Sequence, residues 1–199
     1  MTKEKLLNMA KPILFNTEMV KAILDNKKTV TRRKIDRDIV NRCDMENDGT
    51  LLCYEDEYGD HIRPEKLCRY KPGDILYIRE TWTYHEAAVG GIIYKARCPQ
   101  KLAKRKKWHP SIHMPKEAAR IFLKVTDVRV ERLQDINFKG ICCEGLNTAA
   151  VRGWDMELAR DEWELLWDST IKKSDLKLYG WDANPYVWVI EFERIEVEE

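Results

Sequence analysis

The stretch RIFLKVTDVRVER, residues 120 to 132, alternates apolar and polar side chains like a strand with one buried face, then changes parity. Ile121, Leu123 and Val125 share one side of the pleat, whereas Val128 and Val130 fall on the other. Both sets can reach one core only if a residue is inserted between them. The pattern therefore predicts a β-bulge near Thr126 and Asp127, as at the corner of a barrel.

The rest of the chain supplies partners for such a strand. NPYVWVIEFERI places Tyr186, Trp188, Ile190 and Phe192 on one side of a second long strand. YKPGD sets Pro72 and Gly73 at the centre of a type II turn that feeds the strand ILYIRETW. Shorter strands are expected at ILF, after Pro12, and in the β-branched TVTRRKI. TEMVKAILDN has a helical period with Met19, Ala22 and Ile23 on one face, Thr17 as the expected N-cap and Asn26 as a left-handed C-cap. FKGICCE is a short helix capped by Asp135 or Asn137 and ended by Gly145. Asp155 caps a third helix, whose apolar stripe is Met156, Ala159, Trp163, Leu166 and Trp167. Strands outnumber helices, which predicts an α+β fold: a small mixed or antiparallel β-barrel with flanking short helices and loop insertions. A chain of 199 residues suits a single domain, 1–199, with insertions near 36–69, 95–115 and 147–180. The first insertion, acidic in MENDG and YEDEYGD, reads as a hairpin or a mobile excursion.

Charge narrows the function. The 35 basic and 34 acidic residues leave a formal charge of +1, which excludes a polycation that coats nucleic acid in bulk. An anionic partner must be met locally. No apolar run approaches the length of a membrane span, and the N-terminal segment is broken by Lys11 and Pro12, so a soluble, cytoplasmic protein with no membrane partner is expected. The six cysteines follow no disulfide-scaffold spacing and predict reduced thiols. His109 and His113 have a tolerable ligand spacing but no C-x2-C companion, so no metal and no cofactor are expected.

Three places carry candidate chemistry. In LDNKKTVTRR, the charges of Lys27, Arg32 and Arg33 would depress the pKa of a partly buried Lys28, leaving a neutral base beside the hydroxyls of Thr29 and Thr31. Convergence of Lys28 and Thr31 requires Lys28 to lie in the turn before the strand begins. The plainer alternative is a solvated basic strand end with threonines chosen for β-propensity. Glu144 sits in the last helical turn, where the macrodipole disfavours a carboxylate, so either proton transfer or an ion pair has to account for it. The basic loop containing Lys101, Lys104, Arg105, Lys106, Lys107 and Trp108 combines phosphate-seeking charge with a stacking surface, or is simply solvated.

The segments ILDNKKTVTRR, YKPGDILYIRETW, HPSIHMPKEAARIFLKVTDVRVERLQDI, EGL and GWDANPYVWVIEFERI together resemble the ASCH domain family, specifically its larger, prophage-associated branch. The resemblance implies a PUA-like β-barrel. The family signature G-x-K-x-x-E-x-R reads here as Asn26, Lys28, Thr31 and Arg33, departing at the Gly and the Glu. Lys and Thr at this spacing are similar to the bacterial N4-acetylcytidine amidohydrolases, which use a Glu further along; Glu144 aligns with that acid. The resemblance thus implies catalytic residues Lys28, Thr31 and Glu144 in a metal-independent hydrolase that releases acetate from acetylcytidine, with an RNA or nucleoside ligand. Other family members are thought to bind or cut RNA. Arg32, Arg33, Arg79, Trp82, Lys106, Lys107 and Trp108 are the candidate substrate or RNA contacts, either for such an enzyme or for a non-catalytic single-stranded RNA-binding module.

Overall fold

The computed structural model describes residues 1–45, 51–55, 61–85, 91–146 and 149–198. Ten strands occur among them: β1 (Lys11–Leu14), β2 (Val30–Lys34), β3 (Cys43–Met45), β4 (Leu51–Glu55), β5 (His61–Ile62), β6 (Ile75–Arg79), β7 (Trp82–Tyr84), β8 (Ile92–Tyr94), β9 (Phe122–Arg132) and β10 (Tyr186–Ile195). The helices are α1 (Lys3–Met9), α2 (Thr17–Leu24), α3 (Arg37–Val40), α4 (Gln100–Ala103), α5 (Phe138–Cys143), α6 (Ala149–Arg152), α7 (Met156–Thr170) and α8 (Leu176–Tyr179).

The fold is α+β. Its centre is a five-stranded sheet in the order β1-β6-β9-β10-β2, antiparallel except for the parallel β1–β6 pair. The described strands leave this sheet open, with β1 and β2 as edges, rather than closing it into the expected barrel. The bulge lies at Thr126: Glu191 pairs with Asp127 and Phe192 with Val125, so one residue of β9 has no opposite number. This extra residue returns Val128 to the face of Leu123 and Val125, and all three enter one core with Trp188, Ile190 and Phe192. The other face is covered twice. Helices α5 and α7 pack Ile141, Trp163 and Trp167 onto Val187 and Val189, while α1 contributes Leu6 to a cluster with Tyr77 and Phe122.

Local signals are mostly realised. Asp74 N–H donates to the Lys71 carbonyl across the Pro72-Gly73 turn, with Gly73 at φ +91°. Asp155 and Asn137 cap α7 and α5 through side-chain oxygens. Helix α2 is capped by Asn16, which accepts from Met19 N–H, not by Thr17. The ILYIRETW strand is interrupted: the chain leaves the sheet after Arg79 because Glu80 turns inward to a two-pronged ion pair with Arg120, and β7 pairs separately with β8. The 36–69 insertion contains a three-stranded β3-β4-β5 sheet, and most of its acidic MENDG and YEDEYGD tracts lies outside the described residues. Cys43 is disulfide-bonded, against the expectation of reduced thiols throughout, whereas Cys68, Cys98, Cys142 and Cys143 are free. No helix among the described residues is long and apolar enough to cross a membrane.

Candidate active site

The exit of α2 and the entrance of β2 build the site. Asn26 adopts φ +56°, and the N–H groups of Lys27 and Lys28 both donate to the Ala22 carbonyl, at 2.8 and 3.1 Å. Lys28 therefore lies in the turn, before β2 begins. From there the chain is stitched to both neighbours: Thr29 N–H donates to the Cys143 carbonyl at the end of α5, and Phe192 N–H of β10 donates to the Thr29 carbonyl. Lys28 and Glu144 form an isolated bridge. Gly145 must be a glycine twice over. Its φ is +91°, and a Cβ there would stand 2.7 Å from the Ala22 Cβ and 2.9 Å from the Lys28 Cβ.

This close approach buries a charged cluster. Lys28 Nζ donates to Glu144 Oε2 at 2.5 Å and to the Glu144 carbonyl at 3.0 Å, with neither side chain more than 1% exposed. Arg32 reaches the same carboxylate from the next turn of the pleat, donating from one terminal nitrogen to Glu144 Oε1 at 3.2 Å and from the other to Glu131 Oε2 at 2.8 Å. Its Nε is buried with no hydrogen-bond partner among the described residues. Burial lowers the pKa of Lys28, the Glu144 carboxylate raises it, and the like charges of Arg33 and Arg32 lower it by smaller amounts. The direction matches the sequence reading, with burial rather than repulsion as its main cause. The ion pair also explains a carboxylate at the C-cap of α5: two cations outweigh the helix dipole.

The other expected residues divide. Thr31 is buried on the opposite face of β2 from Arg32, across from Ile190, and its hydroxyl has no hydrogen-bond partner among the described residues. Arg33 shares that face. Its guanidinium lies 5.2 Å from the centre of the Phe15 ring, and Lys28 Nζ lies 5.8 Å from the same ring. Arg33 donates to the Leu14 carbonyl, and Leu14 pairs with Arg79, which in turn donates to the Ile112 carbonyl. Trp82 is buried against His109 and exchanges backbone hydrogen bonds with it, so it anchors the basic loop from below. Trp108 is half-buried and donates Nε1–H to the Ala103 carbonyl, leaving Lys101, Lys104, Arg105 and Lys107 exposed and Lys106 half-buried. The structure thus joins Lys28, Glu144 and Arg32 directly and sets Arg33 beside them. Trp82 and residues 106–108 form a separate group.

Sequence reasoning missed Glu131 and its neighbour Arg129, which binds Glu131, Asp127 and Glu191. No local signal marked them: Lys28 lies in the turn before β2, so strand parity does not put it beside Arg32, and the shared carboxylates follow from tertiary packing alone. A cavity of about 390 Å³ opens against Glu144 and Gly145, with Met19, Ala22, Leu146 and Leu166 in its wall. Comparison of the chain with protein-family models, curated proteins and solved structures gives no match.

Proposed function

We propose that the chain is a PUA-like, metal-independent amidohydrolase acting on the N4-acetyl group of acetylcytidine. The observation that carries this reading is the enclosed Lys28–Glu144 couple at 2.5 Å, in which burial favours the neutral amine and the carboxylate stands ready to exchange its proton. A water held by the unpartnered Thr31 hydroxyl attacks the acetyl carbon while Lys28 accepts its proton. Arg33, on the same strand face, meets the oxyanion. Glu144 relays the proton to N4, the C–N bond breaks, and cytidine and acetate leave. The direct contact between Lys28 Nζ and Glu144 Oε2 gives the proton a path from one to the other, which suits that relay better than either residue acting alone.

The test is acetate release from N4-acetylcytidine by the purified protein. Lys28→Met and Glu144→Gln should each lower kcat by about a hundredfold or more, the usual range for a lost acid–base group, with circular dichroism unchanged. Undiminished turnover in the Lys28 variant would remove the mechanism.

A second reading, binding of single-stranded RNA, is favoured by a different observation: four exposed cations in the segment pinned by Trp108 and Trp82.

A further inference from the structure

We propose a second ligand site, for a phosphomonoester, at the end of the central sheet remote from Lys28. A cavity of about 400 Å³ lies where β2 gives way to α3, walled by Ile35, Val40, Leu51 and Pro185 and rimmed by Arg37, Arg132 and Lys177. It begins seven residues beyond Lys28, roughly 20 Å along the strand direction at about 3.3 Å per residue, so it is distinct from the active site proposed above and does not rest on that assignment.

Charge identifies the ligand. The whole chain balances 35 basic against 34 acidic residues, yet none of the described residues lining this cavity is acidic. Among the described residues, Arg37, Arg132 and Lys177 have no carboxylate partner, whereas Arg32, Arg120 and Arg129 all do. Arg132 is instead held in place by neutral groups: it donates to the Asn184 carbonyl at 3.1 Å, and its guanidinium lies 3.7 Å from the centre of the Tyr186 ring. Lys34 stands over the adjacent Tyr179 ring at 3.8 Å, but it is already matched by Asp36 at 3.4 Å. Three cations around one opening, with no carboxylate partner among the described residues, are more than a carboxylate needs and suit the charge of about −2 on a phosphomonoester, which guanidinium groups grip by paired hydrogen bonds. The apolar floor takes the body of the molecule, and the volume lies in the range of small-molecule sites.

Calorimetric titration at low salt with cytidine 5′-monophosphate, cytidine and inorganic phosphate tests the site. The monophosphate should bind at least tenfold more tightly than cytidine, which lacks the charge, and than phosphate, which lacks the body. Arg37→Gln and Lys177→Gln, both at exposed positions and so harmless to folding, should each weaken it about tenfold, and the Lys28→Met variant should bind it like the wild type. A 5′-phosphorylated oligonucleotide, compared with its 5′-hydroxyl counterpart, distinguishes a strand end from a free nucleotide: tighter binding of the strand than of the monophosphate identifies the former, weaker binding the latter. Equal affinity for monophosphate and cytidine, or undiminished affinity in the Arg37/Lys177 double variant, would overturn the proposal.

Discussion

Glu144 holds two buried cations, Lys28 and Arg32, and its loss leaves both without a counter-charge in a region closed to water. Glu144→Ala should therefore destabilise the fold by about 3–5 kcal/mol, the range for breaking a buried ion pair by removing one partner, measured by urea denaturation. Combining it with Lys28→Met should recover part of that loss, because the double variant buries one charge fewer. The same couple sets a pH signature. Burial holds the Lys28 pKa below its ordinary value of 10.5, so the rate of amide hydrolysis should rise with pH and level off before that point. Glu144 raises this pKa, so in Glu144→Gln the rising limb should move to lower pH; an upward move would contradict the assignment. For stability the sign follows from proton counting. Between the folded pKa and 10.5 the unfolded chain binds more protons at Lys28, so this residue's contribution improves as pH rises through that window.

At the scale of elements, the site depends on how the end of α5 meets the turn between α2 and β2. Gly145→Ala tests that junction. It adds a methyl group within 2.7 Å of Ala22 and forces a non-glycine residue to φ +91°, so a loss of roughly 2 kcal/mol or more is expected from strain and overpacking together. Thermal unfolding would show it as a lower Tm, and activity should fall alongside because Lys28 and Glu144 are displaced relative to each other. The Thr126 bulge acts more remotely: it keeps Val125 and Val128 in one core and thereby holds β10 in the register that places Arg32 across from Val189.

For the whole molecule, a net charge of +1 confines anion binding to local clusters, and the 101–107 segment carries one such cluster exposed to solvent. Any affinity for single-stranded RNA through Lys101, Lys104, Arg105 and Lys107 should fall with salt at a log–log slope of at most about −3, given roughly −0.7 per neutralised phosphate. A filter-binding salt series would measure it. A slope near zero would assign those cations to solvation alone.

The sequence alone determined the elements whose signals are local. Parity in RIFLKVTDVRVER gave the bulge, Asn26 its left-handed turn, and Asp155 its helix start, because each is set by neighbours a few residues away. It also marked Lys28 and Glu144 singly, as residues out of place for their surroundings. Only the tertiary structure decided that they meet, since 116 residues separate them and their contact depends on β2 and α5 packing around one glycine. It likewise turned Arg32 inward to Glu144 and Glu131 and left the central sheet open, outcomes of long-range strand order that no local pattern encodes.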